Sequence, residues 1–195
     1  MDIPFLDQPL GAFLDLVASD EPAPGAGAAA ATAAALAAGL VGMAARLSAA
    51  QLPDGADRAA RADAERGHIT ALAQSDAEAY RSVLAAWRLP REPEPQHRRA
   101  EIRRCLTHAA QVPLEIAESG ARIAAEAVEL AERGNPKLRG DVLAAVFLAG
   151  AAARSAAELV RLNVELGALD RDLAQRADRA AAEAEHRIPA VRDLS

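Results

Sequence analysis

The chain is poor in cysteine, lysine and aromatic residues, and each shortage excludes something. Only one cysteine, Cys105, occurs in 195 residues, so no intrachain disulfide, cysteine-built zinc site or iron–sulfur centre can form, and the cytoplasm is the expected setting. Lysine is nearly absent and the formal net charge is −6, which argues against a nucleic-acid partner because phosphate neutralisation needs a basic face. The opening residues Met1-Asp2-Ile3-Pro4-Phe5 lack the basic start and long apolar run of a signal peptide. The four histidines, His68, His97, His108 and His186, are scattered. No spacing suits a metal ion, and neither a Cys–His pair nor a Ser–His–Asp arrangement is legible.

What is present is alanine. Hydrophobic residues make up 51% of the chain and aromatics only 3%, and alanine favours helix over strand. The expected fold is all-α, a multi-helix bundle of about five to six helices in a single domain over residues 1–195. Alanine buries little area per residue, so seams left open in one copy should close against a second, giving a homodimer through helix packing. Residues 25–45 carry no charge and are just long enough to cross a bilayer. They are mostly Ala and Gly, Arg46 follows, and no aromatic belt flanks them, a composition that favours a buried bundle helix over a membrane span.

Apolar spacing predicts helices over 9–18, 28–48, 57–88, 96–133, 141–167 and 170–186. Pro113 predicts a kink or a short break in the fourth. Proline and glycine mark two loops, 19–27 and 134–141. The second helix offers two candidate dimer faces: a seam of Leu36, Leu40, Met43 and Leu47, and a small-residue face of Ala31, Ala35, Gly39 and Gly42.

Asp76 falls inside the stripe formed by Ile69, Leu72, Tyr80, Val83 and Trp87. A carboxylate there is either paired with an arginine or reserved for catalysis or ligand binding, and spacing does not separate the two. Asn163 lies in register with the apolar face of its helix and either ties helices together or reads a ligand edge. Asp141 follows Gly140 at the start of an apolar helix, which reads as an N-cap. Pro24-Gly25-Ala26-Gly27 presents bare amides before a helix N-terminus, suited to an anion or a flat ring. The cluster Arg98, Arg99, Arg103 and Arg104 reads as a solvated basic face.

Taken in order, several segments resemble the C-terminal cyclodeaminase domain of formiminotransferase-cyclodeaminase and the single-domain methenyltetrahydrofolate cyclohydrolases. They are Phe13-Leu14-Asp15-Leu16-Val17-Ala18-Ser19, Pro24-Gly25-Ala26-Gly27-Ala28, Gly42-Met43-Ala44-Ala45-Arg46-Leu47 and Asp76-Ala77-Glu78-Ala79-Tyr80 in the first half of the chain. Val112-Pro113-Leu114-Glu115-Ile116-Ala117, Gly134-Asn135-Pro136 with Asp141, and Arg161-Leu162-Asn163 follow in the second. The resemblance implies a helical-bundle dimer acting on the N5/N10 one-carbon bridge of tetrahydrofolate, without metal or organic cofactor. It places the folate site near the glycine-rich loop and the loop into Asp141. On it, Asp141 is the expected acid/base, with Asp76 or Asn163 orienting the substrate, and Pro24, Gly25, Gly27, Arg46, Asn135 and Asn163 are expected to bind it. A separate formiminotransferase is an expected partner if the reaction is the cyclodeaminase one. The family usually has Pro-Gly-Gly-Gly-Ser where this chain has Pro24-Gly25-Ala26-Gly27-Ala28. That departure keeps a second reading open, a helical dimer that binds a folate or a partner without turning it over.

Overall fold

The computed structural model describes residues 4–192; the first three residues, within the segment that lacks signal-peptide features, lie outside it. Among the described residues are six α-helices, two short 3-10 turns and no strand. The helices are α1 (Leu10–Val17), α2 (Ala26–Arg46), α3 (Gly55–Trp87), α4 (Pro95–Arg133), α5 (Arg139–Gly167) and α6 (Arg171–Arg192). The expected boundaries are met closely except at the C-terminus. There α6 continues through Pro189 because Val191 is fully buried and Ile188 packs on the core.

Helices α2 to α5 alternate in direction and form the bundle, with α2 packed on α3 and α5, and α4 on α3 and α5. α6 lies across α4 and α5. It buries Ala177, Ala181 and Ala184 and is fastened at its rim by arginine–carboxylate pairs. Arg154 meets Glu185 at 2.8 and 2.6 Å, Arg176 meets Glu118 at 2.7 Å, and Arg161 lies 3.4 Å from Asp178.

Small residues set the helix spacing. A Cβ on Gly120 of α4 would sit 2.9 Å from the Ala149 carbonyl and 3.0 Å from the Ala153 Cβ of α5. Only hydrogen permits the two axes to approach this closely. In α2 the usual burial order is inverted: Ala28, Ala31, Ala34 and Ala37 are fully buried, while Leu36 and Leu47 are 59% and 56% exposed. The small-residue face therefore packs inside this chain: Ala31, Ala35 and Gly42 are buried, and Gly42 lies against Ala62 of α3. Of the leucine seam, Leu36 and Leu47 stay exposed while Leu40 packs against the core.

α2 and the segment 136–167 are each long and apolar enough to cross a bilayer, by length and composition alone. In the fold, α2 touches α3, α4 and α5 and buries its alanines against them, as a core helix does. Of the kink or short break expected at Pro113, the break does not occur: α4 runs without interruption from Pro95 to Arg133, with Pro113 buried among its neighbours.

Candidate active site

The pocket arises from a difference in helix length. α2 starts at Ala26, and the carboxyl of Asp76 on α3 rests against Gly27 in its first turn. α3 continues past that level to Trp87, roughly 16 Å at 1.5 Å per residue, and α4 and α5 accompany it. Where α2 is missing, a slot of about 350 Å³ remains, walled by α3, α4 and α5 and floored by the glycine-rich loop and first turn of α2. Its lining includes Gly25, Gly27, Asp76, Tyr80, Ala109, Leu162, Asn163 and Leu166. The first N–H groups of a helix lack intrahelical acceptors, so those of α2 face the slot unpaired by the helix itself. Pro24 is buried immediately beside this floor.

Asp76 is half-buried and, among the described residues, makes no hydrogen bond or ion pair. Burial alone pushes its carboxyl up to about 6 from an ordinary 3.8. The arginine pair that the sequence left open is thereby absent. The carboxyl fits only because residue 27 is glycine, since a Cβ there would lie 2.1 to 2.3 Å from the Asp76 carboxyl atoms.

Asn163 ties two helices together and also lines the slot. Its Nδ2 donates to the carbonyls of Ala109 on α4 at 2.9 Å and of Leu159 at 3.0 Å, tying α5 to α4. With both amide hydrogens taken, its Oδ1 is the atom left to meet a ligand.

The remaining expected residues gather elsewhere. Asp141 lies 22 residues before Asn163 on α5, roughly 33 Å along the axis at 1.5 Å per residue, so one chain cannot place it beside Asp76 or Asn163. Nor is it an N-cap: α5 begins at Arg139, and Asp141 sits in its first turn, where a carboxylate favours the helix dipole without a capping bond. Arg46 pairs with Asp63 at the same end of the bundle. Asn135 is committed to the backbone there. Its N–H donates to Ser48 Oγ at 2.9 Å, its Nδ2 donates to the Leu47 carbonyl at 3.2 Å, and its Oδ1 accepts from the Lys137 N–H at 3.1 Å. Of the expected site residues, Gly25, Gly27, Asp76 and Asn163 converge, Pro24 adjoins them, and Arg46, Asn135 and Asp141 stand at the opposite end.

Tyr80, Leu162 and Leu166, not among the expected site residues, are 42%, 54% and 63% exposed yet line the slot. Their signal was available: Tyr80 follows Asp76 by one helical turn, and the two leucines flank Asn163. With Asp76 and Asn163 they give a largely apolar cleft that holds one carboxyl and one free amide acceptor.

A profile of the formiminotransferase-cyclodeaminase family matches residues 9–183. The chain is 33% identical over 181 residues to the methenyltetrahydrofolate cyclohydrolase of Methylorubrum extorquens, covering 87% of this chain and 85% of that protein. It is 32% identical over 145 residues to the formimidoyltransferase-cyclodeaminase of Sus scrofa, which is 70% of this chain but 27% of the longer pig protein. The crystal structure of formiminotetrahydrofolate cyclodeaminase from Thermotoga maritima superposes with a TM-score of 0.85 at 25% identity, covering 96% of this chain and 95% of that one. A match over nearly the whole chain in sequence and in fold leaves one conclusion: the chain belongs to the formiminotransferase-cyclodeaminase family.

Proposed function

We propose that this folate one-carbon enzyme is a methenyltetrahydrofolate cyclohydrolase, with Asp76 as its acid/base. The observation that carries the reading is a lone, unpaired carboxyl held near 6 in an apolar slot. At neutral pH it is mostly ionised. Water addition to a cationic methenyl bridge requires one base, and a carboxylate in an apolar slot also attracts that cation strongly.

The step balances with these groups alone. A water oxygen bonds to the bridge carbon and gives a proton to Asp76. The bond between that carbon and N5 then breaks, Asp76 returns its proton to N5, and the adduct hydroxyl loses its proton to solvent. One water is consumed, the formyl group remains on N10, and one proton is released. Neither metal nor organic cofactor is called on. The glycine-rich floor and Asn163 hold the pterin, and the mouth of Tyr80, Leu162 and Leu166 covers the aryl ring that follows N10.

Loss of the methenyl chromophore on mixing with the protein tests this directly. Release of ammonia from formiminotetrahydrofolate, with no hydrolysis of the methenyl compound, would replace it with the cyclodeaminase reaction, to which a formiminotransferase partner belongs. The non-catalytic reading is not favoured, because the relatives matched are named as enzymes. The setting we infer is the cytoplasm, in keeping with a single cysteine. The exposed Leu36 and Leu47, with Leu40 and Met43 between them, support a homodimer formed through α2.

A further inference from the structure

Pro113 lies one turn beyond Ala109 in α4. In an uninterrupted helix the Ala109 carbonyl accepts the N–H of residue 113, but proline has none. The carbonyl so released is the one that accepts from Asn163 Nδ2 at 2.9 Å. The second amide hydrogen goes to the Leu159 carbonyl at 3.0 Å. Two carbonyl partners admit only the NH₂ side of the amide, which fixes its orientation without ambiguity.

We propose that Pro113 is a positioning residue for the slot: by removing one backbone donor it anchors the Asn163 amide so that only an acceptor, Oδ1, faces the ligand. That acceptor selects a ring edge that carries an N–H donor and rejects an edge of bare nitrogens, because an unmatched buried acceptor loses its water without gaining a partner. The consequence for turnover rests on the folate reading of the slot; the anchoring of the amide does not.

The variant Pro113→Ala returns an N–H to the Ala109 carbonyl. Alanine is also the better helix former, so helix content and melting temperature should hold or rise. Pro113→Val restores the same N–H with nearly the volume of the ring and serves if the alanine variant unfolds. The side-chain NH₂ of Asn163, followed by nitrogen-resolved NMR, should exchange with solvent faster in the variant than in the parent. The kcat/KM for methenyltetrahydrofolate should fall roughly tenfold, the worth of one hydrogen bond. In an Asn163→Leu background the same substitution should cause no further fall. Unchanged amide exchange, or an equal fall in both backgrounds, overturns the proposal. A parent protein that does not turn over the methenyl compound overturns the folate reading instead, and the amide exchange still decides whether Pro113 anchors Asn163.

Discussion

Replacing Asp76 by asparagine should cut turnover sharply at every pH, and should stabilise the protein only above a certain pH. Burial raises the carboxyl from 3.8 to about 6, so between those values the native state holds a proton that the unfolded state has released. Stability therefore falls as pH rises through this window, and the loss is complete above it. At about 1.4 kcal/mol per pH unit the cost reaches about 3 kcal/mol, a ceiling that the remaining solvent access of Asp76 reduces. The neutral amide of the variant carries no such cost. For a chain of this size, 1 kcal/mol moves the melting temperature by about 2–4 °C. Thermal melts should place Asp76→Asn roughly 4–10 °C above the parent at pH 8 and level with it at pH 4. In the parent, kcat/KM should rise with pH through about 6, as the base ionises. The variant should lose roughly 10²- to 10⁴-fold in rate. An equal melting difference at both pH values would refute the burial argument, and a variant as active as the parent would remove Asp76 from the chemistry.

Other substitutions test the packing around the slot. Gly27→Ala places a Cβ where the Asp76 carboxyl now lies; the carboxyl can rotate away, so circular dichroism should show an intact fold while turnover drops by at least roughly tenfold. Gly120→Ala drives a methyl against the Ala149 carbonyl and Ala153, and urea melts should report a loss of about 1–3 kcal/mol with no change in the pH profile of activity. Leu36→Glu, on the exposed seam of α2, should convert a dimer to a monomer in sedimentation while leaving the helical spectrum unchanged; a parent that sediments as a monomer would remove the dimer instead.

Period and punctuation carried most of the fold. Leu36 to Leu47 and Ile69 to Val83 recur at helical spacing, and the Pro/Gly segments fall where α2 and α5 begin. Asp76 and Asn163 stood out because a polar group in an apolar register needs an explanation, and both line the slot. Asp141 was expected beside Asp76 and Asn163, and it is not there because nearness to a recognisable motif says nothing about which end of a bundle a residue occupies. Alternating helix direction does say so: it sets the start of α2 beside the end of α5, and so sets Gly25 near Asn163 and away from Asp141. That no break occurs at Pro113 has another reason. A helix interrupter is tolerated when its neighbours hold the helix and a side chain takes up the freed carbonyl, and both conditions are tertiary.

The rim of α6 has a consequence for how the molecule opens. Three arginine–carboxylate contacts fasten this helix to its neighbours, and half-exposed pairs are screened as the Debye length contracts from about 10 Å at 0.1 M salt to about 3 Å at 1 M. Its amides should therefore exchange hydrogen sooner as salt is added, ahead of those in α2 to α5, as a locally opening unit. None of its described side chains lines the slot. The segment that salt loosens first is one that the active site can lose for a moment without losing its shape.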